Sequence, residues 1–270
     1  MDSWEITYPA GLVKYVDFFR NKCFYYDEYD LEIIQYISEY SDIPIKTICT
    51  LGCGTGRNEL RFTKMGYSVT GIERNDESIP IVKRLFETEN VPMFNLIKAD
   101  FMISEELKSA IGDTKFDCIL LLSVPLSISD VKKAATIFQP YLRTGGLFIA
   151  PQYFGYEKGF VPDCTISESD YAEDPFGTEQ DICLRTNIYK YNDNYIDWTA
   201  TYIYYDEAHT LQMSKDHDIL EILKYDTYTA QMTINSQFKL LPLKEFQKCS
   251  DEINMPKVKA CIIGWKKLNE

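Results

Sequence analysis

The chain has 270 residues, with 28 Lys and Arg against 41 Asp and Glu, a net charge of −13 and a pI near 4.7. That length buries a sizeable core, while the acidic balance excludes a surface built to track a phosphate backbone, which needs clustered Lys and Arg. No apolar run reaches bilayer length, MDSWEITYPA lacks a signal-peptide pattern, and eight cysteines with no CxxC spacing read as buried thiols of a reducing, cytoplasmic compartment with no structural metal.

The first forty residues predict two helices, the second over DLEIIQYISEY, whose apolar residues recur at helical spacing. KTICTL follows as a short buried strand, then a glycine turn, then a helix through RNELRFTKM stopped by Gly66. YSVTGIE, FNLIKA, FDCILLL and GGLFIAP are the next strands. ESIPIVKRLFETE, SEELKSA and SISDVKKAATIFQPYL are the helices between them, with Gly145 at the last helix stop. Ser127 and Asp130 stand three apart at the start of that last helix, as a capping box places them. Strands alternating with helices, several of them continuously apolar, predict a mostly parallel sheet with helices on both faces.

The pattern changes after Pro151. Residues 155–180 are acidic and rich in Gly, Pro and Ser, which predicts an irregular segment. ICLRTNIYKY and YIDWTATYIYY, separated by NDN, predict a β-hairpin with Trp198, Tyr202 and Tyr204 on one face. DILEILKY is a third strand, DTYTAQMTINSQF a helix and KVKACIIGW a final strand. The chain divides accordingly into a helical cap (1–45), a ligand-binding core (46–154), a β-rich insertion that roofs a substrate or pairs two subunits (155–225), and a helix and strands that complete the core sheet (226–270).

Chemistry concentrates in LGCGTGRNE. Gly52, Gly54 and Gly56 alternate with Cys53 and Thr55, and three glycines so close imply a very tight turn or a ligand against bare backbone. The dinucleotide fingerprint G-x-G-x-x-G does not fit, because the third glycine comes one residue early and Arg57 stands in its place. G-x-G-x-G instead resembles the first motif of the class I S-adenosylmethionine-dependent methyltransferases. VTGIER, IKADF, FDCILLLSV and YLRTGGLFIA resemble that superfamily's later elements, in order, over residues 46–150.

The resemblance implies a Rossmann-like α/β fold with a β-rich insertion after the fifth strand, and S-adenosylmethionine as cofactor. It implies Glu73 on the two ribose hydroxyls, Asp100 on the adenine amino group and Phe101 beside the ring. Gly52, Cys53, Gly54, Gly56, Arg74 and Leu122 line the same cleft, and Tyr26, in FYYDEYD, closes over the methionyl end. One departure is plain: the superfamily usually places Asp or Glu where this chain has Thr50, and a hydroxyl offers no charge to the cofactor's ammonium.

IAPQYF, KDHDILEILKYDTYTAQM and FYYDEYD are similar to segments of the methyltransferases that dimethylate nucleotide-linked amino sugars. That likeness implies a small-molecule acceptor, with N-methylation slightly ahead of O-methylation. Ligands of an open α/β sheet lie beyond the carboxyl ends of its strands, which places the acceptor near Ser123, Tyr153 and Phe154, with Tyr153 and His217 as catalytic candidates. A protein methyltransferase and a cofactor-binding protein without turnover stay open beside it. Glu73 and Asp100 also read as caps, Cys49 and Cys53 as packing residues, and His217 as a structural strand histidine. No nucleic acid, membrane or metal is expected, and the protein is expected as a monomer or homodimer.

Overall fold

The computed structural model describes residues 8–9, 11–15, 19, 26–122, 124, 126–155, 165–173, 182–191, 195–206, 208–224, 227–246 and 258–269. Residues 11–15 are helical, and α1 (Tyr26–Tyr40) leads into the first strand. The core then alternates as read from the sequence: β1 (Thr47–Leu51), α2 (Arg57–Lys64), β2 (Ser68–Glu73), α3 (Ser78–Thr88), β3 (Asn95–Lys98), α4 (Ser104–Ile111), β4 (Phe116–Leu120), α5 (Ile128–Phe138) and β5 (Leu142–Ile149). Five strands run parallel in the order β3-β2-β1-β4-β5.

β1 shows why both faces are covered. Ile48 packs with Ile33, Tyr36, Phe62 and Val82 of α1 to α3, whereas its neighbour Cys49 packs with Leu107, Val131 and Phe138 of α4 and α5. Successive side chains on a strand point to opposite faces, so a continuously apolar strand needs two covers. Ser127 caps α5 as expected: its Oγ accepts from the Asp130 N–H at 3.1 Å and donates to Asp130 Oδ2 at 2.6 Å.

Three boundaries differ from the expectation. α5 stops at Phe138 and a 3₁₀ turn (Gln139–Tyr141) carries Pro140, which cannot continue the helical ladder. β5 therefore starts at Leu142, and Gly145 is no helix stop: it sits inside β5 at φ 79, where pairing with β4 jumps from Leu142 to Leu147 while β4 advances from Phe116 to Cys118. The C-terminal run is two strands rather than one. β13 (Val258–Ile262) and β14 (Gly264–Lys267) flank Ile263 and belong to different sheets.

β6 (Gln152–Gly155), β7 (Thr165–Glu173), β8 (Ile182–Tyr191), β9 (Tyr195–Tyr205) and β10 (Leu211–Lys224) build the second sheet. Its order is β12-β13-β6-β10-β9-β8-β7, where β12 is Lys244–Glu245. β7 lies within the stretch expected to be irregular; it is an edge strand of mostly polar residues, so no hydrophobic alternation announces it. α6 (Tyr228–Met232) is a single short turn of the helix expected there, and β11 (Phe238–Leu240) pairs with β14, which runs antiparallel beside β5 and completes the first sheet.

The β7–β10 sheet alternates along most of its length. Cys183, Arg185, Asn187, Tyr189, Trp198, Ala200, Tyr202 and Tyr204 turn inward, and Leu12, Tyr15 and Phe19 of the N-terminal segment pack on that face. The N-terminal segment also reaches the first sheet, where Asn75 Nδ2 donates to the Tyr8 carbonyl at 3.3 Å, while Tyr8 meets the Tyr202 ring edge-on. It thus bridges the carboxyl edge of the parallel sheet and the inner face of the antiparallel one.

Candidate functional site

β1 lies between β2 and β4, where the chain direction of the winding reverses, and ligands of open α/β sheets bind beyond the carboxyl ends at that point. The glycine turn occupies it. Gly52, Gly54 and Gly56 have φ of 68, 55 and 82, the left-handed region that favours glycine. They differ in what surrounds them. A Cβ at Gly52 would meet Val124 Cγ2 at 2.8 Å, and one at Gly56 would meet Val82 Cγ1 at 3.0 Å; at Gly54 a Cβ would meet nothing within 4 Å. Gly52 and Gly56 are packing requirements, and Gly54 presents bare backbone to open space.

Glu73 ends β2 directly beside that backbone and is 8% exposed. Its Oε2 accepts from the Gly54 N–H at 2.8 Å and its Oε1 from the Asn75 N–H at 2.7 Å. Both oxygens bind donors, which an amide could not match, and each keeps a lone pair for a further donor. The carboxylate therefore shapes the turn and also fits a pair of vicinal hydroxyls.

Asp100 follows β3. Its Oδ1 accepts from the Met102 N–H at 2.9 Å, and its Oδ2 pairs with the Arg74 guanidinium at 3.2 Å. Phe101 and Leu122 are buried, and Phe101 packs against the Gly52 position. Cys53 turns its sulfur down onto Gly71, so it can line the cleft only with backbone. Burial, with the Glu59 and Glu73 charges, holds its thiol well above the usual range. Thr50 is buried, and its hydroxyl donates at 3.5 Å to the Thr70 carbonyl of β2.

Gly52, Cys53, Gly54, Gly56, Glu73, Arg74, Asp100, Phe101 and Leu122 thus gather at one edge. Tyr26 begins α1 and Tyr153 lies in β6, paired with Ile222 and Ala260, but their side chains, that of Phe154, and Ser123 altogether lie outside the described residues. His217 does not join the cleft. It occupies the outer face of β10 with its side chain 58% exposed, and its Nε2 lies 2.9 Å from Asp197 Oδ1. Period-2 alternation is the reason: the inward positions of β10 fall to Asp216 and Asp218 instead. The sequence reading missed these two because it began the strand at Asp218 and gave it no partner; alignment against the aromatic face of β9 would have found them. Among the described residues, no three His, Cys, Asp or Glu side chains group as a metal site requires.

Residues 16–144 match the family model described as tellurite resistance protein TehB. A protein of Geobacillus sp. (strain WCH70), whose name assigns it to the methyltransferases, is 24% identical over 152 residues, and the match spans 55% of this chain and 59% of that protein's length. Among solved structures, the chain is similar to an S-adenosylmethionine-dependent methyltransferase from Clostridium acetobutylicum ATCC 824 (TM-score 0.66, 13% identity, 94% of this chain and 98% of that one). It is also similar to the sugar N-methyltransferase KedS8 from Streptoalloteichus sp ATCC 53650 (TM-score 0.67, 13% identity, 94% and 93%). The amino pentose methyltransferase CalS10 from Micromonospora echinaspora, with S-adenosylmethionine bound, gives TM-score 0.63 at 12% identity over 97% and 98%.

Proposed function

For a chain with the class I methyltransferase fold, we propose the activity of an S-adenosylmethionine-dependent methyltransferase acting on a small molecule, with N-methylation favoured over O-methylation. The observation that carries this reading is the pairing of Gly54, whose open side a Cβ would fill, with the two-donor carboxylate of Glu73 at the sheet's carboxyl edge. The names of the similar proteins, two of them sugar methyltransferases, support the acceptor class.

In this reading Glu73 accepts the ribose hydroxyls on its free lone pairs, and Asp100 accepts the adenine amino group beside Phe101. Arg74 steadies Asp100 through their ion pair. The bare backbone of Gly54, with the backbone of Cys53, admits the methionyl and ribosyl parts, and Leu122 and Tyr26 complete the cleft. When bound, S-adenosylmethionine supplies an electrophilic methyl group on a sulfonium. The protein's task is then alignment and exclusion of water, with a base only where the nucleophile arrives protonated. Tyr153 stays on the acceptor side by its place after β5. Four segments, 1–45, 46–154, 155–225 and 226–270, divide as cap, cofactor core, substrate roof and completion of the core sheet.

A cytoplasmic location belongs to the same reading, supported by the free thiols Cys49, Cys118, Cys183 and Cys261, all buried. Among the described residues no helix is long and apolar enough to cross a membrane. The protein works as a monomer or homodimer, with no nucleic-acid partner. A binding protein without turnover is the second reading, favoured by Thr50, whose hydroxyl is spent on β2 and whose position carries no charge for an ammonium.

Calorimetry with S-adenosylmethionine, its demethylated product and NAD tests the proposal. The two sulfur ligands should bind and NAD should not. Glu73→Ala should weaken the sulfur ligands by about 1–3 kcal/mol. Tight NAD binding, or unchanged affinity in Glu73→Ala, would overturn it; binding with no turnover over an amine and alcohol panel would favour the second reading.

A further inference from the structure

The inner face of the antiparallel sheet holds a carboxylate that is only half engaged among the described residues. Asp218 is 2% exposed. Its Oδ1 accepts from the Ile219 N–H at 2.8 Å, and its Oδ2 is buried with no hydrogen-bond donor among the described residues. Removing a carboxylate oxygen from water without a donor is costly, so such a group persists where something else compensates.

Its surroundings are those of a cation site. Asp218 stands directly across from Trp198 on β9, and Trp198 across from Tyr189 on β8. These three side chains form one row on one face, with Tyr189 8% exposed and the Trp198 indole held by its Nε1–H bond to Asn187 Oδ1 at 3.1 Å. The next row holds Asn187, Ala200 and Asp216, so a second buried carboxylate stands beside a residue that is only a methyl group. Aromatic rings next to a carboxylate attract an ammonium by charge and by ring quadrupole together.

Position agrees with chemistry. β10 pairs in parallel with β6 at Ile222–Tyr153, so moving back along β10 to Asp218 moves toward the end of β6 that leaves β5. That is the carboxyl edge on which the glycine turn lies, and the inner face of the sheet reaches it through Tyr8, which meets the Tyr202 ring edge-on and whose carbonyl accepts from Asn75 Nδ2 at 3.3 Å. Burial raises the Asp218 carboxyl to about 6, opposed by the Ile219 N–H and His217 and aided by the Asp216 charge. A carboxyl so poised exchanges a proton near neutral pH.

We propose that Asp218 binds the amine of the methyl acceptor and takes its proton, with Trp198 and Tyr189 as the walls of the amine site and Asp216 as the second charge. This rests on the methyltransferase reading above and names its acceptor as a primary or secondary amine carried by a small molecule. The bound ammonium gives its proton to Asp218 Oδ2, which frees the nitrogen lone pair. That pair forms the new N–CH₃ bond as the S–CH₃ bond of the sulfonium breaks, and the bonding pair of the broken bond stays on sulfur as a neutral thioether. The carboxyl proton then leaves to solvent.

The test uses the full chain, with cyclohexylamine as probe and cyclohexanol as its neutral match. By calorimetry the amine should bind and the alcohol should not, and Asp218→Asn should weaken the amine roughly tenfold or more. Asn keeps the acceptor for Ile219, so the variant should melt at the wild-type temperature or above it at pH 8 and should bind S-adenosylmethionine as the wild type does. A carboxylate with only a structural role predicts a lower melting temperature and unchanged amine binding. Should the variant fold poorly, the ¹³C carboxyl resonance of Asp218 in the wild type decides: it must shift on addition of amine and not of alcohol. Amine binding unaffected by the substitution, or a resonance indifferent to amine, overturns the proposal. Wild-type protein that binds amine but no sulfur ligand overturns the methyltransferase reading instead.

Discussion

The three glycines of the turn offer a separation that single-residue substitution can measure. Gly54→Ala places a Cβ at φ 55 in open space, so its folding cost is the left-handed backbone alone, about 1–2 kcal/mol. Its methyl group projects where the ligand would lie, so binding of S-adenosylmethionine should fall further than stability does. Gly52→Ala adds a 2.8 Å collision with Val124 to the same backbone strain and should cost about 2–4 kcal/mol of stability. Denaturant melts with calorimetry on both variants check this; equal losses of affinity and stability in Gly54→Ala would mean that nothing docks there. Asp218 makes a second residue-scale prediction through pH. Its carboxyl stands at about 6 in the folded chain against 3.8 as the ordinary value, so the folded state holds the extra proton between those limits. Its contribution is fully present below pH 4 and is lost as pH rises through 6, on the order of 2–3 kcal/mol. Asp218→Asn should flatten that part of the stability–pH curve. A curve of unchanged slope between pH 4 and 7 would place the proton elsewhere.

At the scale of elements, one carboxylate fastens the helix before the sheet to the helix after the turn. Asp30 of α1 is fully buried; Asn58 Nδ2 of α2 donates to it at 2.6 Å, and Arg61 Nε of α2 lies 2.8 Å from its other oxygen. Since α2 begins at the glycine turn and α1 begins at Tyr26, this clamp sets the distance between the turn and the start of α1. Asp30→Ala takes the shared acceptor from Asn58 and Arg61 and should cost about 2 kcal/mol, Arg61 being partly able to reach water. Hydrogen exchange should speed in α1 more than in β1 or β4, with weaker cofactor binding; uniform acceleration across the core would contradict a local clamp. The core elements were legible in the sequence because each carries its own signal: a buried apolar run, a capping pair at Ser127 and Asp130, a glycine stop at Gly66. What was not legible depends on register. Strand β7 is polar because it is an edge, the break at Ile263 reflects which sheet each half joins, and the inward turn of Asp216 and Asp218 rather than His217 follows from where β10 begins. The residues proposed for the cofactor, by contrast, sit at strand ends that each strand announces locally, and Gly52, Gly54, Glu73 and Asp100 do come to one edge of the sheet.

At the scale of the whole molecule, the N-terminal segment covers part of the aromatic face of the antiparallel sheet. Tyr202 and Tyr204 are almost fully buried under Leu12, Tyr15 and Phe19, so that face needs no second subunit. The opposite face is the one left open to a partner. Tyr171, Leu184, Ile203 and Met213 are successive cross-strand neighbours from β7 to β10, and each is more than a third exposed. Ile182, Tyr205 and Leu211 extend the same outer surface, also more than a third exposed. Together they expose on the order of 600 Å² of apolar surface, the upper range for a monomer's largest patch and close to the ~800 Å² that each partner of a stable dimer buries. A flat row without charge is self-complementary under a two-fold axis, so its occupant in the homodimeric reading is a second copy of the chain. Light scattering at micromolar concentration should show a dimer that Leu211→Lys with Met213→Lys converts to a folded monomer, since two cations meeting their copies across the axis lose hydration without gaining partners. Tyr202→Ala, on the other face, should lower the melting temperature and leave the subunit count unchanged. A wild-type monomer removes the interface, and a dimer that survives the lysines but separates on Tyr202→Ala moves it to the face under the N-terminal segment.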